Sequence, residues 1–368
     1  MSPKKKRLAF LGIALVAFAI ALGAATPPQL TDAEFWKLAT DSSEEDGIFR
    51  SDNLLSNETT FQYVIPDILK TAKLGRVYMG VGPEQNFTYI AALKPSMAFI
   101  IDIRHGNFDV HLLYKALFEL STDRVDFLSR LFSRKRPTGL TAQTSIDEIM
   151  GAILMAEGSK ELYEANLRAV EDQLMKKHGF PLTTGDREGI AWALSNYYRF
   201  GPYINYGSSL SAGIPPSVVG ASLIGRGGGN NGVTYASLMM AADGAGLKRS
   251  YLASEENFNF LKDLETRNLI VPIVGDFGGD KAIRAVGQYL KGVDAMVSAF
   301  YLSNVEQFLD QEGRWDDFCR SVRTLPIDET SMFIRSGRGG PYTRNSTGSN
   351  VQSSSAAPML PELKCPGN

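Results

Sequence analysis

The residues best suited to chemistry lie between Gly75 and Asn107, in GRVYMGVGPEQNFTYIAALKPSMAFIIDIRHGN. A short apolar run, Val77 to Met79, leads into Gly80-Val81-Gly82-Pro83, and a second run, Met97 to Ile101, stops on Asp102. Gly80 and Gly82 can take positive φ and let a ligand approach the backbone closely. Pro83 suits the first helical position. A helix opening at Glu84 and Gln85 then presents free N–H groups to a negative group. Asp102 follows Gly80 by 22 residues, the interval between a nucleotide-binding glycine turn and the acid that holds a ribose. A plain strand–helix–strand unit with an exposed acid accounts for the same residues. Arg104 and His105 stand beside Asp102 and can either serve a substrate or simply pair with it.

Positioning these residues requires strands that end together. Further apolar runs at Leu269–Val274, Val293–Tyr301 and Ser331–Arg335 read as strands. Pro272 in the first of them points to a bulge or an edge. Helical patterns lie between the runs. Thr31 with Glu34, and Ser145 with Glu148, have capping-box spacing; Thr234, Ser254 and Asp280 are candidate caps. Ser56 or Asn57 can cap a helix from Thr59 to Leu69, just before the first strand. The alternation predicts an α/β fold, a doubly wound, mostly parallel sheet of about five strands, within a domain over 26–336. A large, mainly helical insertion (107–260) separates strands 2 and 3, where it can cover the carboxyl ends of the strands. Within it, 203–232 is rich in glycine, serine and proline. Long loops of this kind are functional or disordered, and the stretch reads either as a mobile lid, with Tyr203, Asn205, Tyr206 and Arg226 toward a substrate, or as a connector.

The glycine turn and Asp102 resemble the S-adenosylmethionine site of class I methyltransferases. The same stretch, with GDFGGDKAIRAVGQYL and AFYLSNVEQFL, resembles an uncharacterised family of methyltransferase-like bacterial proteins. Gln85 stands where the dinucleotide-binding form has a third glycine, which disfavours a nicotinamide enzyme. Tyr78 and Glu84 replace an acid and a glycine common in methyltransferases. The resemblance implies that Gly80, Gly82, Glu84, Gln85, Asp102 and Arg104 hold the cofactor. It implies that Asp276, after the third strand, faces an adenine amino group, and that Asn57 and Glu58 reach the ligand from the helix before the first strand. Tyr301, Asn304 and Glu306, after the fourth strand, would flank the transferring methyl group, with Glu306 or His105 as proton acceptor. In-line methyl transfer needs alignment more than a special side chain, which suits a chain without a triad.

Composition sets limits on partners. With 44% hydrophobic and 21% charged residues among 368, a globular core is expected. A formal net charge of −2 argues against nucleic-acid binding. The histidines, His105, His111 and His178, match no metal-ligand spacing, so no metal is expected. Cys319 and Cys365 can form one bridge but read more readily as unrelated thiols. Residues 1–25, with Lys4-Lys5-Lys6-Arg7 before an apolar run, read as a signal peptide or a membrane anchor. Either places the remainder outside the cytoplasm, with the membrane touched only there; if the segment is not an export signal, the domain is cytoplasmic. Residues 337–368 read as a disordered tail, leaving no candidate for the closing hairpin of full class I methyltransferases. S-adenosylmethionine is made and used inside cells. Two functions therefore stand: a methyltransferase acting on a small-molecule or envelope substrate, and an exported, non-catalytic ligand-binding or scaffold protein.

Overall fold

Val77–Gly80 (β1) and Met97–Asp102 (β2) show no alternation of polar and apolar residues, and every residue in both is buried. That is the signature of parallel strands covered on both faces. The structure, a computed structural model, describes residues 29–49, 53–208, 233–338 and 352–365. The expected leader (1–25), most of the Gly/Ser-rich stretch (209–232, with Arg226) and 339–351 and 366–368 of the expected tail lie outside the described residues.

Among the described residues six strands form one sheet. Ile270–Val274 (β3), Val297–Ser303 (β4), Met332–Arg338 (β5) and Gln352–Pro358 (β6) join the first two in the order β3-β2-β1-β4-β5-β6. The first five are mutually parallel, and β6 runs antiparallel to β5. From β1 the chain steps outward to β2 and β3, then returns to place β4 on the other side of β1. Pro272 lies in β3, the edge strand, where one side of the backbone has no ladder bond to lose. That edge is met by the end of Asp32–Ser42 (α1): Ser43 Oγ accepts from the Val274 N–H at 2.9 Å and the Glu44 N–H donates to the Val274 carbonyl at 2.8 Å.

The tail expectation is corrected by β6. Residues 352–365 are ordered, and the strand supplies the antiparallel closing pair that the sequence lacked a candidate for. Met359 is fully buried behind it, and Cys365 is disulfide-bonded to Cys319 across a 46-residue separation. The reading of two separate thiols is therefore also corrected.

The helices follow their caps. Thr31 and Glu34 form the expected box on α1. Ile65–Thr71 (α2) starts later than predicted, because residues 59–64 are spent on turns. Gln85–Leu93 (α3) joins β1 to β2. The insertion begins with His105–Leu120 (α4) and Arg124–Leu131 (α5), which Asp123 separates by capping the second. Ile146–Met155 (α6), Lys160–Glu171 (α7), Thr184–Phe200 (α8), Tyr235–Met240 (α9) and Glu255–Thr266 (α10) complete it. Helix α4 packs on β2, β3 and α8. Ala282–Gly292 (α11) is capped by Glu44, whose Oε1 accepts from the Ala282 N–H at 2.8 Å, and not by Asp280. Val305–Gln311 (α12) follows β4, and Trp315–Val322 (α13) carries Cys319. Among the described residues no helix is long and apolar enough to cross a membrane.

Candidate functional site

The turn after β1 is held from inside. Asn86 Nδ2 donates to the carbonyls of Val81 (3.0 Å), Gly82 (3.0 Å) and Pro83 (2.7 Å), while its Oδ1 accepts from the Tyr78 hydroxyl at 2.9 Å. A Cβ on Gly80 would lie 1.9 Å from Asn86 Oδ1. Gly80 thus makes room for the Asn86 amide and does not line a ligand space, which corrects its expected role. Gly82 fits the expectation: its φ is +79°, and a Cβ there would meet nothing within 4 Å. The Gly82 carbonyl also accepts from His111 Nε2–H at 2.9 Å. Burial pushes the His111 pKa down to about 4, so the ring is neutral and donates.

A cavity of about 230 Å³ opens over this turn at the carboxyl ends of β1, β2 and β4. Gly82, Gln85, Asp102, Arg104, Asp276, Tyr301 and Asn304 line it with Asn57. Phe49 and Phe308, edge to face at 5.2 Å between ring centroids, form an apolar wall. Asn53, Ser56, Ser303 and Arg314 add polar groups. Phe49, Phe308, Ser303 and Arg314 were not read as site residues: Phe49 and Arg314 come from segments without a motif, and Ser303 and Phe308 flank Asn304 and Glu306 in AFYLSNVEQFL without a chemistry that singles them out. Tyr206 is the described insertion residue that reaches the cavity; Tyr203 is exposed, and the Asn205 side chain accepts from the Gly207 N–H at 3.0 Å.

Beneath the cavity, Glu58 gathers three lining side chains. Its Oε1 accepts from the Tyr301 hydroxyl (2.8 Å) and Ser303 Oγ (2.6 Å), and its Oε2 from Gln85 Nε2 (2.8 Å). Burial pushes the Glu58 pKa up, against these hydrogen bonds. Glu84 is buried as well, with Oε2 unpaired and its pKa pushed up to about 8 by burial. Neither carboxyl lines the cavity, so both act on its framework and not as the expected direct ligands.

Asp102 faces the cavity but is already engaged. Arg104 Nε and backbone N–H donate to Oδ1 at 2.9 and 3.0 Å, and Arg104 Nη2 donates to Oδ2 at 2.8 Å. A carboxylate has roughly four acceptor positions, so one remains for a ligand hydroxyl. Asp276 is held by Arg314 and by the Gly278 N–H at 2.9 Å. Two expected proton acceptors are elsewhere. Glu306 is paired with Arg335, Nη2 to Oε1 at 2.9 Å, and His105 Nε2 lies 2.7 Å from Asp186 Oδ1. Neither lines the cavity. The expectation of no metal rested on histidine spacing alone. In space, His105, Asp109 and Asp186 bring one ligand atom each within 4.8 Å of one another.

The chain matches the model of a family described as a domain of unknown function (DUF7790), over residues 54–180 and 234–358. The chain belongs to this family. The matched stretches of the DUF7790 domain contain all six strands and every cavity-lining residue except Ile48, Phe49, Asn53 and Tyr206. No curated protein matches the chain.

Proposed function

We propose that the sheet is a doubly wound, Rossmann-like one, and that its cavity binds a small nucleoside-type ligand, with adenosine the first to test and S-adenosylmethionine the second. One observation carries the reading: the cavity lies at the carboxyl ends of parallel strands where the strand order reverses, between β1 and β4, the usual ligand position in open α/β sheets. The residues present suit such a ligand. Gly82 leaves the backbone open to close approach, the Phe49–Phe308 wall offers a surface for a base, and Asp102 has one acceptor position for a sugar hydroxyl. Tyr301, Asn304 and Asp276 are the further polar contacts. At about 230 Å³ the space lies below the roughly 300–1,000 Å³ of drug-sized pockets, which favours a nucleoside over a dinucleotide.

Binding is the reading supported over methyl transfer. His105 and Glu306 are held in pairs away from the cavity. We also place the domain outside the cytoplasm. The Cys319–Cys365 disulfide is at home in an oxidising compartment and agrees with the leader-like residues 1–25. An exported domain would have no supply of the methyl donor.

Calorimetric titration of the full chain with S-adenosylmethionine, adenosine and NAD tests this. Saturable binding of the first or second, weakened at least tenfold in Asp102→Ala and in Asn304→Trp, which fills the cavity from its rim, is the expected result. No binding of any of the three, or wild-type affinity in Asn304→Trp, would overturn it.

A further inference from the structure

His105 and Asp109 lie one turn apart at the start of α4, on the same face. Helix α8 packs against α4 and presents Asp186 from its own first turn. His105 Nε2 is 2.7 Å from Asp186 Oδ1 and 3.7 Å from Asp109 Oδ1. Asp109 is 3% exposed, yet its Oδ1 makes no hydrogen bond. A buried carboxylate oxygen aimed at an imidazole nitrogen and a second carboxylate is costly unless something bridges them.

The surroundings are arranged for this carboxylate. Gly189, three residues beyond Asp186, has no side chain where a Cβ would come within 2.0 Å of Asp109 Oδ2. Asp186 Oδ2 accepts from the Thr183 N–H at 2.6 Å, which turns Oδ1 toward the cluster. Asp46 accepts from the His105 backbone N–H at 2.7 Å and fixes the start of α4. Such outer contacts orient metal ligands in known sites.

We propose that His105, Asp109 and Asp186 form a site for a divalent first-row transition metal, zinc being the first candidate. One imidazole nitrogen and two carboxylate oxygens are a donor set that zinc accepts. Tetrahedral zinc with bonds of about 2.0–2.2 Å sets its donors about 3.3–3.6 Å apart; the two separations to His105 Nε2, 2.7 and 3.7 Å, straddle that range. Three protein ligands leave a fourth position for water, and the His105 side chain, 41% exposed, gives the ion a path from solvent. The site stands apart from the nucleoside cavity, which none of the three lines.

Zinc chloride titrated into the full chain by calorimetry tests the site, with cobalt(II) absorption as a second readout. We expect one equivalent of zinc per chain and visible cobalt bands of a nitrogen-ligated ion. Asp109→Asn, which keeps the shape, and His105→Ala should each weaken zinc at least tenfold and abolish the cobalt bands, with unchanged far-ultraviolet circular dichroism. Absence of saturable zinc binding, or unchanged affinity and bands in both variants, would overturn the proposal.

Discussion

The ring of His111 lies under the turn after β1 and shares the Gly82 carbonyl with Asn86. Its folded pKa, pushed down by burial to about 4, compares with an ordinary value of 6.5. The folded chain therefore binds fewer protons here than the unfolded chain. Stability from this group is complete above about pH 6.5 and is lost as the pH falls toward 4, where the loss approaches about 3 kcal/mol. Urea denaturation at pH 7.5 and 4.5 should show this part of the acid sensitivity in the wild type and not in His111→Gln. Equal pH dependence in both proteins would mean that the ring is protonated without penalty. At this scale the sequence was informative where a residue belongs to a motif, as with Gly82 and Asp102. It was silent on Asn86 and His111, because a buried polar side chain reaching a turn carbonyl has no spacing of its own. His105 and Glu306 were misplaced for a related reason: position after a strand says nothing of the partner that captures the side chain, here Asp186 and Arg335.

Among the elements, the β1–α3 turn depends on a pair, Gly80 and Asn86. Gly80→Ala would force the Asn86 amide out of its place and lose three hydrogen bonds, the one its Oδ1 accepts from Tyr78 and the two that its amide hydrogens share among the Val81, Gly82 and Pro83 carbonyls. At about 1 kcal/mol for each, the expected loss is about 3 kcal/mol. Asn86→Ala should cost a similar amount, and the double variant little more than either, because the clash and the bonds concern the same atoms. Additive losses in urea denaturation would show that Gly80 has another role. The five strands that could be read ahead of the structure, β1 to β5, each carry an apolar run. The sixth could not be: Gln352–Pro358 is QSSSAAP, with neither apolar alternation nor β-branched residues. Its pairing comes from backbone hydrogen bonds to β5 and from the anchors just beyond its end, buried Met359 and bonded Cys365. Tertiary contact decided that segment, and local propensity did not.

Over the whole molecule, the α/β class was legible because buried parallel strands and capped helices both leave local patterns. The walls of the cavity were not, since Phe49, Ser303, Phe308 and Arg314 meet only after the sheet has assembled. The same holds for the closure of the sheet by the Cys319–Cys365 bond. Closing a 46-residue separation lowers the entropy of the unfolded chain by an amount worth about 3–4 kcal/mol. The double variant Cys319→Ala/Cys365→Ala should lose about that much in urea denaturation. The loss should be local first, because β6 has few apolar side chains to hold it once its C-terminal anchor is cut. Amide exchange in the variant should therefore quicken in β6 and along the β5 edge it covers, while β1 and β2, buried at the centre, keep their protection. An exposed β5 edge is also a template for association, so the variant should oligomerise at concentrations where the wild type does not. Unchanged stability, or exchange that quickens equally across all six strands, would show that the bond does not hold β6 to the sheet.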